Sequence, residues 1–134
     1  MVARSYGESV AGYEEVDGFQ GFYFEDSFVL DIWQEPDALR FYVEAVLTPE
    51  HPRFGPPKPG EQHCYRRVTV VFPRPTEVHW RRLHFRPAVD AAGELDWGNI
   101  DRFEFSENGW YELEGDWGEV CLRSDPPLVV DSGQ

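Results

Sequence analysis

Apolar side chains recur at every second position through most of this chain, and that period decides what it can fold into. Leu39, Phe41, Val43, Ala45 and Leu47 alternate with Arg40, Tyr42 and Glu44, and Cys64, Arg66, Val68, Val70 and Phe72 alternate with Tyr65, Arg67, Thr69 and Val71. Successive side chains of a strand point to opposite faces, so this pattern builds strands with one buried face. Upstream, Phe22, Phe24, Phe28, Leu30 and Ile32 read as another such strand, and Gln34-Glu35-Pro36-Asp37 supplies the turn into the next. Downstream, Phe103 and Phe105, Tyr111 and Leu113, then Val120 and Leu122 form a meander. Asn108-Gly109 and Gly115-Asp116 are its turns, the first with a strong hairpin signature. Leu128 to Val130 adds a short edge strand after Asp125-Pro126-Pro127. About eight short strands at turn spacings of roughly 8–12 residues predict an all-β, single-domain antiparallel sandwich or open barrel with little helix.

The irregular stretches are equally informative. Thr48 to Gln62 carries Pro49, Pro52, Pro56, Pro57 and Pro59 with Gly55 and Gly60, which excludes a central strand or a helix interior. It reads as a rigid lid packing Phe54 over a sheet edge, or as a loop that covers something functional. After Pro73-Arg74-Pro75-Thr76, Val78 and Trp80 occupy even positions but Leu83 and Phe85 odd ones. One extra residue near Arg81-Arg82, a β-bulge, restores a common apolar face. Pro87 to Asn99 is a second connection, with room for a short helical turn around Val89 to Leu95. Residues 1–17 lack periodicity and read as a loosely ordered arm before a domain spanning 18–134.

A chain of 134 residues with 16% aromatics suits one domain with a ring-rich core. The net charge of −13 is unevenly spread: nine acidic and one basic side chain lie within residues 1–37, nine basic and four acidic within 38–89, and twelve acidic and two basic from residue 90 on. Such a field argues against nucleic acid or an anionic membrane as partner and suits a basic protein. No signal segment opens the chain, and no apolar run is long enough to span a bilayer. With Cys64 and Cys121 as the only cysteines, reduced thiols and a cytoplasmic setting are expected.

Three constellations invite chemistry. His51, His63, Cys64, His79 and His84 contain zinc-ligand types, but His63 and Cys64 are adjacent on a strand and so point apart, with Cys64 turned inward; no metal or other cofactor is expected. The outer face of the strands on either side of Pro73 carries Tyr65, Arg67, His79, Arg81, Arg82, His84 and Arg86, groups able to bind a carboxylate or phosphate beneath the proline-rich 49–62 loop. If that face is merely solvated, its arginines pair with Asp31, Glu44, Glu104 or Glu112. The C-terminal meander offers Glu112 and Glu114 with Trp110 and Trp117, an acidic aromatic surface of the kind that anchors a protein partner.

Nucleophile-elbow, phosphate-loop, dinucleotide and zinc-protease motifs are missing, which lowers the expectation of an enzyme. The segments EDSFVLDI (25–32) and HPRFGPPKPGEQHCYRR (51–67) resemble small stand-alone bacterial proteins of uncharacterised function, a resemblance that implies no activity and no catalytic residues. In size and charge the chain is also similar to the immunity proteins of bacterial toxin systems. Taken together, these features lead to the expectation of a non-enzymatic domain that binds a basic protein through an acidic, Trp-bearing surface. The alternative is a small-molecule or anion-binding protein, or a small hydrolase, using the Arg/His face.

Overall fold

The computed structural model describes residues 10–83, 88–89, 95–96, 98–106 and 108–132. Over them the chain is an antiparallel β-sandwich. Its strands are β1 (Val10–Gly12), β2 (Phe22–Glu35), β3 (Ala38–Leu47), β4 (Tyr65–Pro73), β5 (Glu77–Leu83), β6 (Ala88–Val89), β7 (Leu95–Asp96), β8 (Ile100–Ser106), β9 (Trp110–Gly115), β10 (Gly118–Arg123) and β11 (Leu128–Asp131). One sheet has four strands in the order β11-β4-β3-β2, and the other has five in the order β1-β8-β9-β10-β5. β6 and β7 pair separately.

The core lies between the two sheets, and rings fill it. Phe72 of β4 has its ring centroid 5.9 Å from that of Phe103 and 5.5 Å from that of Tyr111, both on the opposing sheet. Phe41 of β3 meets Trp117, from the β9–β10 turn, at 5.2 Å. Such aromatic pairs contribute about 0.5–1.5 kcal/mol each beyond the area they bury. Leu39, Val43, Val68, Val70, Leu113 and Leu122 fill the space between the rings.

Several sequence expectations hold. β2 and β3 form the hairpin about Pro36-Asp37. The meander is present, and Gly109 takes a φ of 86° in its first turn. The bulge in β5 falls at Arg81: Glu119 pairs with Arg82 and Val120 with Trp80, which leaves Arg81 opposite no residue of β10. Residues 1–9 of the expected arm lie outside the described residues. From Val10 onward the chain forms a strand against β8 and a 3-10 turn at Tyr13–Glu15 that buries Tyr13 in the core.

Three expectations need correction. First, Val89 and Leu95, the ends of the expected helical turn, are strand residues that pair with each other, and residues 90–94 between them lie outside the described residues. Second, β4 and β5 are not neighbours, because Pro73-Arg74-Pro75 carries the chain from one sheet to the other. Two prolines cannot form the tight primed turn that would keep both strands in one sheet. Arg74 takes a φ of 50°, its N–H donates to the Asp37 carbonyl at 2.9 Å, and its guanidinium pairs with Asp125 at 2.5 Å. Third, β2 does not keep one phase. Tyr23 pairs with Val46 but Phe28 with Glu44, and a second shift leaves Leu30 unpaired between Val29 and Asp31. The hydroxyl of Ser27 plugs the first irregularity, accepting from the Val46 N–H at 2.9 Å and donating to the Tyr23 carbonyl at 2.8 Å. Val29 therefore turns inward, while Phe28 turns outward.

Candidate functional site

The acidic meander does not offer the surface its sequence suggests. Trp117 is 1% exposed and sits in the core, and Trp110 is 9% exposed beneath the His79 ring, which stacks on it at 6.1 Å. Neither is an anchor for a partner. Glu112 and Glu114 do face outward from β9, but they are bound. The Arg102 guanidinium donates to Glu112 at 2.7 Å, Glu119 at 3.0 Å, Glu114 at 3.3 Å and Glu104 at 3.4 Å. Burial works against the charge of Arg102, yet the hydrogen bonds to Glu112 and Glu114 outweigh it, and its pKa is raised. Next to Glu112 in the register, Cys121 is buried, and that burial pushes its thiol up to about 11, far from a reactive thiolate.

The expected Arg/His face is split between the two sheets. Tyr65 and Arg67 lie on the outer face of β4, while His79 and Arg81 belong to β5 on the other side of the sandwich. His79 lies 3.2 Å from Glu77, and Arg81 donates to Glu119 at 3.4 Å. Arg82 stands opposite Glu119 in the register; its side chain, like His84 and Arg86, lies outside the described residues. Arg67 stands opposite Glu44, in line with a cross-strand pair.

The histidine set is dispersed as well. His63 lies 3.9 Å from Asp26 and edge-on to the Tyr65 ring, and Cys64 packs against the core as its strand phase implies. His51 heads the proline-rich loop, where its Nδ1 accepts the Arg53 N–H at 3.0 Å and its ring packs edge-on to Phe22 at 4.8 Å. Burial and the nearby Arg66 both lower its pKa. Among the described residues, no three His, Cys, Asp or Glu side chains gather to hold a metal ion.

The face with a distinctive make-up is the outer face of the four-stranded sheet. Strand register lays it out in rows: Trp33, Arg40, Val71, Leu128; then Asp31, Tyr42, Thr69, Val130; then Phe28, Glu44, Arg67. A depression of about 410 Å³ opens in the first two rows and reaches Arg67, lined by Leu30, Asp31, Trp33, Arg40, Tyr42, Arg67 and Thr69. The Trp33 Nε1–H donates to Asp31 at 2.5 Å, Arg40 pairs with Glu35, and Thr69 and Ser132 share a hydroxyl bond of 3.0 Å. None of the lining residues comes from the 49–62 loop. That loop is held at the edge of the sandwich instead, where the Thr48 N–H donates to the Gly21 carbonyl at 2.9 Å, and Phe54 is 44% exposed rather than packed.

Of the candidate binding residues read from the sequence, only Arg67 lines this depression, and Asp31 enters only as a partner for the arginines. The outward phase of β3 carries a signal for Arg40 and Tyr42, and an alternation with Leu30 and Ile32 inward carries one for Asp31 and Trp33. The structure reverses that phase at Phe28 and restores it through the irregularity at Leu30.

No family model, curated protein or solved structure matches the chain. Among the described residues, no helix is long and apolar enough to cross a membrane.

Proposed function

We propose that this chain is a protein-binding domain working through the outer face of β2, β3, β4 and β11. The supporting observation is a grouping. Of the six large apolar side chains exposed among the described residues, Phe28 (39%), Trp33 (54%), Leu128 (44%) and Val130 (44%) lie on this one face. Surface hydrophobics normally scatter singly, and a cluster of them marks an interaction site. Trp and Arg are the residues enriched where partners meet, and this face pairs Trp33 with Arg40 across one row.

The acidic meander keeps a different role in this reading. Its carboxylates are tied to Arg102 and its tryptophans are packed, so it steers a partner rather than gripping one. A net charge of −13 draws a basic protein in from a distance and speeds encounter. A basic toxin neutralised in the manner of an immunity protein suits both features.

The experiment is a titration of the tagged chain with candidate basic partners, beginning with the product of the neighbouring gene. A complex is expected at low ionic strength, with an association rate that falls as salt is added. Trp33→Ala is expected to weaken it by about thirtyfold, the size of an interface hot spot of roughly 2 kcal/mol. Failure to form a complex at low salt, or full affinity in a Trp33→Ala, Leu128→Ser double variant, would overturn the reading.

A second reading, a small-molecule or anion binder, is favoured by the depression between Arg40 and Arg67. The hydrolase form of that reading lacks support, because the lining contains no His or Cys and His79 belongs to the other sheet.

A further inference from the structure

We infer that the depression on the four-stranded sheet is a binding site for an aromatic monocarboxylate. The inference shares Trp33 and Arg40 with the protein-binding reading but does not rest on it, since a small ligand in the depression requires no protein partner.

Space comes first. A cavity of about 410 Å³ falls within the range of roughly 300–1,000 Å³ typical of small-molecule sites. It also has the usual make-up of such a site, apolar walls with a few polar groups. Leu30, Trp33 and the Tyr42 ring supply the walls, and Arg40, Arg67 and Thr69 the handles.

The aromatic requirement follows from Trp33. Its indole is 54% exposed, yet its Nε1–H is tied to Asp31 Oδ2 at 2.5 Å, and Asp31 Oδ1 accepts the Ile32 N–H at 2.9 Å. The ring is therefore held in place before any ligand arrives. A fixed ring costs little further ordering when another ring stacks on it, and offset stacking is the geometry aromatic pairs prefer.

The single negative charge follows from the local balance. Arg40 pairs with Glu35 and Arg67 stands opposite Glu44, but a guanidinium has five N–H donors and one carboxylate takes up at most two, so each can also grip a ligand carboxylate. Asp31, Glu35 and Glu44 stand in or beside the same rows, and the chain as a whole carries −13. A dianion such as a phosphate monoester meets that field twice over, whereas a monocarboxylate meets it once and gains apolar burial in exchange. Rows on one face of a strand are about 7 Å apart, so Trp33 and Arg67, two rows apart, set the ends of an elongated ligand. The aryl group lies on Trp33, the acid points to Arg67, and the Tyr42 and Thr69 side chains lie between.

The test is calorimetry of the full chain with 2-naphthoate, with 2-naphthamide as the uncharged match and cyclohexanecarboxylate as the non-aromatic one. Saturable one-to-one binding of 2-naphthoate is expected, with each comparison compound at least about tenfold weaker, the loss that one charge-assisted contact or one stack accounts for. Arg67→Gln is expected to erase the preference for acid over amide, and Trp33→Ala the preference for the aromatic acid. Circular dichroism checks that both variants keep the fold. Equal affinity for acid and amide, unsaturable heats, or wild-type affinity in both variants would overturn the inference. Those results leave the capture of a protein partner untouched, and a failed capture leaves the titration untouched.

Discussion

A methyl group on Gly115 would lie 2.1 Å from the Asn99 carbonyl oxygen and 2.5 Å from Trp117 Nε1. Neither neighbour is free to retreat. Asn99 leads into β8, and the indole of Trp117 is wedged between Phe41 and Trp80 at 5.2 and 6.2 Å. Gly115→Ala is therefore expected to destabilise the fold by about 1–3 kcal/mol or more, as overpacking does. A urea titration would show a lower midpoint at unchanged slope. Gly55→Ala is the control: a methyl group there meets nothing within 4 Å, and a change within about 0.5 kcal/mol is expected. Equal effects at the two sites would mean that Trp117 is not seated as described. The burial of Trp117 could not be read from its surroundings in the chain. It lies in a turn, where period 2 no longer assigns a side, and the ring that receives it, Phe41, belongs to the other sheet.

At the scale of single strands, the five-stranded sheet arranges its outer charges in a ladder. Arg102 stands opposite Glu114, Glu114 opposite Glu119, and Glu119 opposite Arg82. Without Arg102, Glu112 (9% exposed) and its three acidic neighbours have lost the guanidinium that holds them together. Arg102→Met keeps the length of the side chain and removes the charge. It is expected to cost about 1.5–3 kcal/mol at neutral pH, the size of charge-assisted hydrogen bonds, in a network that is partly buried. A urea curve at pH 7 tests this, and an unchanged midpoint counts against the network. The strands themselves were legible where alternation ran unbroken, as in β3 and β4. A regular period fails in β2 between Ser27 and Leu30, where extra residues reverse which side faces the core. In β5 the same device was found from sequence, since large apolar residues change parity on either side of Arg81-Arg82. β2 offers no such cue, because its apolar residues continue on both faces.

At the scale of the molecule, the sandwich followed from the number and spacing of the strands, but the membership of each sheet did not. Alternation says which side of a strand is buried and nothing about which strand lies beside it. That is why Arg67 and His79 seemed to share a face when they stand on opposite sides of the molecule. The N-terminal β1 completes the sheet built mainly from the C-terminal meander, and the C-terminal β11 completes the sheet built from β2, β3 and β4. Removing residues 125–134 deletes β11 and uncovers the edge of β4 from Val68 to Val71. The shortened chain is expected to lose its single cooperative transition and to associate through that edge, as differential scanning calorimetry and light scattering would show. A monomer with one sharp transition would refute this.

The crossover at Pro73-Arg74-Pro75 has a consequence for synthesis. β2, β3 and β4 can pair as they leave the ribosome, but β5 follows them into the opposite layer, and its partner β10 ends forty residues later at Arg123. Until then β5 has only a core face and no neighbour. The nascent chain must wait with that strand unmatched, and β11, translated after β10, covers the edge left by the first strands to pair.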